Sequence, residues 1–245
     1  MRKWIIGAAA ISFLVVVSGC ADQTTQSIFD ETLSEEEAGF TWRKERSQDF
    51  GDYDYIVKDE AEAVEDLTDK FQLEKPPLFD DWRDLIKTEM KVDSAVQEPE
   101  EFTFNASGRE LRFISKIKFK NGENYSSYGT VTARFQYLEE LEQTILYSQR
   151  LDIYNSVAEN TFNGKNLDAV LKKIGELLKL ENLDELLETF KEATKEQEDL
   201  KGQKIIIYET PQEDETLLFG KIFGVNYDEN GVLYQIYAAT IDYRK

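Results

Sequence analysis

The side chains of this sequence that could do chemistry are almost all carboxylates. The 245 residues include 49 aspartates and glutamates, one cysteine and no histidine. The lack of histidine excludes Ser-His-Asp and Cys-His catalytic arrangements and imidazole metal ligands. A single cysteine also excludes an intramolecular disulfide and thiolate metal sites. Catalysis would have to use paired carboxyl groups, as in glycoside hydrolysis, but no pair stands in a context that would raise the pKa of one member.

A second cluster of possible ligands lies near the C-terminus. Residues 226–231 place side-chain oxygens at alternate positions and a glycine sixth, which resembles the first half of an EF-hand calcium loop. The twelfth position of such a loop supplies a bidentate glutamate, whereas this sequence has Tyr237 there. Because that carboxylate is missing and the flanking segments have the period of strands, the pattern favours a hairpin turn. We therefore expect no metal ion and no other cofactor.

Four basic side chains recur along one segment of an otherwise acidic chain, namely Arg112, Lys116, Lys118 and Lys120. They alternate with apolar residues, so they would share the solvent-facing side of one strand. This row is our candidate ligand or partner surface, and it could receive an anionic partner such as a wall polymer or an acidic protein. Alternatively, lysines protect the open edge of a sheet against unwanted pairing, which is the role that we favour.

Tyrosines and glycines suggest further recognition elements. The 12 tyrosines include Tyr53, Tyr55, Tyr125, Tyr128, Tyr234, Tyr237 and Tyr243. Exposed rings could stack on sugars or form a protein-binding patch, although most tyrosines at strand spacing simply pack with the hydroxyl outward. Gly220 and Gly224 would lie on one face of a strand and allow the close approach of a ligand or, as we favour, of a covering helix.

The charge of the chain restricts its partners. The formal net charge is -20, from 29 basic and 49 acidic residues. Without residues 1–19, which contain Arg2 and Lys3 and no acid, the charge becomes 27 - 49 = -22. A field of this sign repels phosphate backbones, so we expect no nucleic-acid partner.

The single cysteine follows a short apolar segment at the N-terminus. Residues 4–17 carry only apolar and small side chains, too few for a permanent membrane span and typical of a secretory signal. The segment ends in Val17-Ser18-Gly19-Cys20, which resembles the lipobox of bacterial lipoproteins. The resemblance implies cleavage before Cys20 and attachment of a diacylglycerol to its sulfur, with two acyl chains for stable anchoring. The alternatives are an ordinary signal peptide with a chance cysteine and an uncleaved anchor.

The spacing of apolar residues predicts four helices, over residues 59–72, 79–91, 167–178 and 183–193. The last two are joined by a short connection and should form an amphipathic helical hairpin that packs on the core rather than on a bilayer. Asn182 can cap the second of them, with Glu185 completing a capping box. Ser34 to Glu37 fits another capping box nearer the N-terminus.

Alternation of apolar and polar residues predicts strands over residues 111–119, 131–137, 145–153, 204–208, 216–227 and 232–243. Phe102 and Phe104 could open this series, and residues 138–148 suit a helix as well as a strand. The order of elements predicts an α+β fold. A central antiparallel meander and a C-terminal hairpin would form a sheet packed against the amphipathic helical hairpin, with extra N-terminal helices.

We expect a signal peptide over residues 1–19, a lipidated cysteine and tether over 20–48, and one extracytoplasmic domain over 49–245. The predicted function is that of a lipoprotein anchored to the cell membrane through Cys20, which binds a protein or an envelope component without catalysing a reaction. An acidic surface of this kind could hold a basic protein partner. The alternative function is a carboxylate-based hydrolase of envelope glycans.

Overall fold

The computed structural model of the chain describes residues 33–156, 161–211 and 217–244. Within these residues, ten β-strands form one antiparallel sheet, and five α-helices accompany it. The chain therefore has the α+β fold that the order of its helical and strand patterns predicts.

The strands are β1 Arg43–Glu45, β2 Asp52–Val57, β3 Val96–Gln97, β4 Glu101–Ser107, β5 Glu110–Asn121, β6 Asn124–Leu138, β7 Gln143–Asn155, β8 Lys204–Glu209, β9 Phe219–Tyr227 and β10 Leu233–Asp242. Eight of them follow the order β2-β4-β5-β6-β7-β10-β9-β8, while β1 pairs with β7 and β3 with β5. Strands β4 to β7 form the predicted meander, and β9 and β10 form the predicted hairpin. Pairing of β7 with β10 joins them into one sheet.

The helices are α1 Glu35–Ala38, α2 Glu60–Glu65, α3 Phe79–Glu89, α4 Leu167–Leu177 and α5 Leu183–Ala193. A π-helical turn, Asp66–Lys70, continues α2, so the predicted helix over 59–72 is present in two parts. The predicted helices over 79–91, 167–178 and 183–193 correspond to α3, α4 and α5. The ambiguous segment 138–148 contains only a single 3-10 turn, Glu139–Leu141, before β7 begins.

Alternation along the strands divides the sheet into two faces. On β5, Leu111, Phe113, Ser115 and Ile117 are fully buried. The residues that alternate with them are exposed or partly exposed. We call the buried side the helix-covered face, because Phe79 of α3 stacks on Phe113 with 4.7 Å between ring centroids. The opposite side, which carries Arg112 and the lysines of β5, is called the open face.

Helix α3 crosses the helix-covered face at a glycine. A Cβ added to Gly129 of β6 would lie 2.6 Å from Cδ1 of Ile86, a distance that the packed helix cannot accept. Phe104 stacks on both Phe71 and Phe113, which extends the aromatic core from β4 to β5. Burial of these large rings is the main stabilising contribution to this face, at about 25 cal/mol per Å² of apolar surface removed from water.

The helical hairpin forms as predicted, but one of its capping interactions does not. Asn166 caps α4 by accepting a hydrogen bond from the backbone N–H of Ala169 at 3.0 Å. Asn182, expected to cap α5, instead adopts a left-handed conformation with φ of +52° and makes no side-chain cap. The tight turn between the helices requires this conformation, which directs the amide away from the first turn of α5.

The packed structure extends N-terminal to the expected domain boundary at residue 49. Ser34 and Glu37 form the predicted capping box of α1. Phe40 is 3% exposed and belongs to the core, and β1 pairs with β7. Residues 33–48, which we assigned to the tether, therefore contact the domain directly. Strands β1, β2 and β3 were not predicted.

Candidate functional site

The four basic residues of the candidate surface all lie on the open face of β5. This strand pairs with β6 along its length and, on its other side, with β4 over residues 110–116 and with β3 at Phe119 and Lys120, so it is an interior strand of the sheet. The interpretation of its lysines as protection of a free edge is therefore wrong, because β5 has no free edge. The outer strands of the eight-stranded path are β2 and β8.

Three of the four cations have carboxylate partners on the same face. Arg112 pairs with Glu110 at 2.6 Å, Lys118 with Glu101 at 2.7 Å, and Lys120 with Glu98 at 2.6 Å. Hydrogen bonds from Lys120 and Tyr125 keep the pKa of Glu98 below its usual value. The positive charge of these four residues is therefore largely neutralised, and their attraction for an anionic partner is weaker than the sequence indicates.

Lys116 differs from its three neighbours. Its ammonium group lies 5.5 Å from the centre of the Tyr128 ring on β6, and it makes no ion pair with any described residue. On the other side of Tyr128, the ring of Tyr154 on β7 stacks at 4.6 Å with an angle of 18° between planes. The open face thus carries a stack formed by one cation and two tyrosines.

A chain of polar contacts crosses the open face from β7 to β9. Arg150 donates two hydrogen bonds to Asp152, at 2.6 and 2.7 Å. Gln235 Nε2 donates to Oδ1 of Asp152 at 2.7 Å, and its Oε1 accepts from Nδ2 of Asn226 at 2.7 Å. Asp152 and Gln235 are only 6% and 9% exposed, so these interactions hold the strands together as well as presenting polar groups.

Tyrosine rings, not a helix, cover the two glycines of β9. A Cβ on Gly224 would lie 2.5 Å from the hydroxyl of Tyr237, and one on Gly220 would lie 2.8 Å from the ring of Tyr243. The expectation of a covering helix is therefore wrong: both glycines lie on the open face, and the close approach is made by side chains of the β10 segment. The Tyr237 hydroxyl is buried, and no described residue forms a hydrogen bond with it.

A cavity of about 570 Å³ lies where β6 begins and β7 ends. We call it the tyrosine pocket and define it by six of its lining residues, Tyr125, Ser127, Tyr128, Tyr154, Asp228 and Tyr234. Asp228 follows β9 and Tyr234 is near the start of β10, so four strand ends contribute to it. Tyr125 and Tyr234 are 45% and 36% exposed, and their rings are accessible from solvent.

The hydroxyl groups of the tyrosine pocket differ in their hydrogen bonds. Tyr125 donates a hydrogen bond to Glu98 at 2.9 Å, and the Tyr154 hydroxyl accepts a longer one from Gln235 at 3.3 Å. Burial and the nearby Asp152 raise the pKa of both Tyr128 and Tyr154, so these phenols stay neutral. Ser127 is 2% exposed and lies on the helix-covered face, opposite Phe119 and Asn155, and its Oγ has no hydrogen-bond partner among the described residues.

The EF-hand-like residues form the hairpin turn that we favoured. Asp228 Oδ1 accepts hydrogen bonds from the backbone N–H groups of Asn230 and Val232, at 2.9 and 2.8 Å. The bond from Val232 and those from Asn230 keep the pKa of Asp228 below its usual value. Gly231 has a φ of +76°, as a turn of this kind requires. In the described parts of the chain, no three acidic side chains gather as a metal site would need.

The most crowded carboxylates surround Arg83 on α3, which is 3% exposed. Arg83 forms ion pairs with Glu60, Asp80 and Glu100 at 2.7, 3.0 and 2.6 Å. Burial opposes ionisation of Glu100, but hydrogen bonds from Arg83, Lys87 and Ser115 outweigh it, so the pKa of Glu100 lies below its usual value. This arrangement keeps Glu60 and Glu100 ionised and serves the packing of α3 on the sheet.

Sequence reasoning did not identify Ser127, Asp152 or Tyr154. Tyr125, Tyr128 and Tyr234 were candidates, and the structure brings them together, whereas Tyr53 and Tyr55 lie on the distant edge strand β2. The alternation along β7 places Asp152 and Tyr154 on one side, but only the register with β6 puts Tyr154 opposite Tyr128.

Cys20, residues 1–19 and most of the expected tether lie outside the described residues. None of the helices in the described ranges is long and apolar enough to cross a bilayer. In comparisons with known proteins, no protein family, no curated protein and no solved structure matches this chain.

Proposed function

We propose that this chain is a lipid-anchored extracytoplasmic protein that binds a protein or an envelope component at the open face of its sheet. The anchor rests on Val17-Ser18-Gly19-Cys20 and the apolar segment before it. The binding role rests on one observation. The open face carries an accessible pocket lined by four tyrosines, two of which stack on each other.

The chemistry of the carboxyl groups favours binding over glycan hydrolysis. A glycosidase needs a carboxyl group with a raised pKa as its general acid. The five described carboxyl groups whose pKa is shifted are all shifted downward, namely Glu60, Glu98, Glu100, Glu110 and Asp228. Each is held as an anion by hydrogen-bond donors, which suits a structural role. We therefore do not propose a hydrolase.

The anchor is tested by the substitution Cys20→Ala. We expect the variant to accumulate as an unprocessed precursor or to be released as soluble protein, because residue 20 can no longer carry acyl chains. Ser18→Ala is the matched control, since it keeps a small residue and should be processed normally. Detergent phase partition, gel mobility and mass spectrometry of the protein from its host make the measurement. Detergent partition of Cys20→Ala with wild-type mobility would refute the anchor.

The binding face is tested by photo-crosslinking in the host. A photoreactive residue at Thr132, on the open face of β6, should capture a partner, whereas one at the exposed Glu188 of α5 should not. Position dependence is the informative result, because a protein that is merely abundant nearby would be captured at both sites. Equal capture at the two positions, or capture only at Glu188, would contradict a partner on the open face.

A further inference from the structure

We propose that the tyrosine pocket binds a neutral pyranose saccharide of the kind found in envelope glycans. This inference deepens the proposed function and rests on it for the extracytoplasmic location, where such glycans are present. The pocket itself supplies the independent argument, through its size, its ring surfaces and its charge.

The size of the pocket suits a small ligand. Its volume of about 570 Å³ falls within the range of small-molecule sites and is too small for a folded partner. Strand ends from β6, β7, β9 and β10 form its walls, so hydrogen-bonded strands hold its shape. A pocket fixed in this way loses little conformational entropy when it binds a rigid ring.

The ring surfaces match the two-sided chemistry of a sugar. A pyranose ring presents flat C–H faces and a rim of hydroxyl groups, and a tyrosine likewise combines an apolar ring with a polar tip. Tyr125 and Tyr234 are partly exposed at the pocket, and Tyr128 and Tyr154 are fixed by their mutual stacking. The neutral phenols of the stacked pair can donate hydrogen bonds to sugar oxygens.

The charges around the pocket favour a neutral ligand. Asp228 lines the pocket and is kept ionised by its hydrogen bonds, so an anionic ligand would be repelled. A cationic ligand would meet two ammonium groups that already lie over the rings, Lys116 on Tyr128 and Lys120 on Tyr125, at 5.5 and 4.8 Å. The charges around the pocket therefore disfavour both an anionic and a cationic ligand.

The test is calorimetric titration of the full-length protein in detergent micelles with triacetylchitotriose, a neutral oligosaccharide. We expect a dissociation constant on the order of 1 mM, as for a shallow site with few hydrogen bonds. Tyr234→Ala should weaken binding by about fivefold. Tyr53→Ala is the matched control, because Tyr53 is similarly exposed, at 44%, on the distant strand β2.

Thermal unfolding of Tyr234→Ala distinguishes binding from folding. Because Tyr234 is 36% exposed, its substitution should leave the unfolding midpoint nearly unchanged while binding weakens. The proposal is overturned if triacetylchitotriose gives no binding heat, or if Tyr53→Ala weakens binding as much as Tyr234→Ala. Tighter binding of choline or of a proline-rich peptide would also overturn it.

The failure of this inference can be told apart from failure of the proposed function. If position-dependent capture at Thr132 succeeds but triacetylchitotriose does not bind, the open face still binds a partner and the saccharide assignment is wrong. If Cys20 is found as an unmodified thiol, the proposed location is wrong whatever the titration shows.

Discussion

The two faces of the sheet are built from alternate residues of the same strands, yet their side chains have different kinds of partner. On the helix-covered face, Phe113 contacts rings from α3 and β4 and is fully buried. On the open face, the adjacent Ile114 is partly exposed. One strand therefore carries, one residue apart, a side chain that stabilises the fold and one that is available to a partner.

The charged groups of the two faces differ in the same way. Arg83, beside the helix-covered face, is buried and contacts three carboxylates. Lys116, on the open face, contacts a tyrosine ring and no carboxylate of the described residues. Folding alone accounts for the pairing around Arg83, since an unpaired buried charge is strongly unfavourable. It does not account for a lysine on a tyrosine stack beside a pocket, and this is why we propose the open face as the binding surface.

The comparison is tested most strongly by substitutions at adjacent residues of β5. Phe113→Ala should lower the free energy of unfolding by about 4 kcal/mol, because it removes a fully buried ring and leaves a cavity. Ile114→Ala should lower it by about 1 kcal/mol or less, because the side chain is partly exposed. Urea denaturation followed by tryptophan fluorescence measures both. Similar losses for the two variants would mean that the open face is packed, and the comparison would fail.

The sequence was sufficient to predict most of the fold, because the strongest patterns are local. The alternation along residues 111–119 and 131–137 predicts β5 and β6, and the apolar stripes of residues 167–178 and 183–193 predict the helical hairpin. Strand β2 escaped prediction because Asp52 and Asp54 occupy its open side while Tyr53 and Ile56 are exposed. An edge strand of this kind lacks the buried alternation on which sequence reasoning depends.

The site was less predictable because it depends on strand register. The four basic residues of β5 were found from their spacing, but the carboxylates that neutralise Lys118 and Lys120 come from Glu101 and Glu98. Likewise, Tyr154 meets Tyr128 only because β7 pairs with β6 beyond a β-bulge between Arg134 and Phe135. A shift of two residues would keep Tyr154 on the open face but move it away from Tyr128, and the alternation of apolar residues does not distinguish these two registers.

The charged part of the comparison is tested by two adjacent glutamates. Glu100 contacts Arg83 and its side chain is 11% exposed, whereas Glu101 pairs with Lys118 on the open face and is 30% exposed. Glu100→Gln should lower the free energy of unfolding by about 2 kcal/mol at pH 7, because it weakens hydrogen bonds to a buried guanidinium. Glu101→Gln should lower it by about 0.5 kcal/mol, as is usual for surface ion pairs.

The pH dependence of this difference provides the sharper measurement. The pKa of Glu100 in the folded protein lies below the ordinary value of 4.5, because donors from Arg83, Lys87 and Ser115 outweigh its burial. Its contribution to stability is therefore complete above about pH 5 and is lost as the pH falls through the folded-state pKa. The gap between wild type and Glu100→Gln should close over that acidic range in urea denaturation experiments. A gap that does not narrow at all on acidification would show that the ionised form of Glu100 is not its source. An equal effect of Glu101→Gln at pH 7 would show that the Arg83 cluster is no more important for folding than an ion pair on the open face.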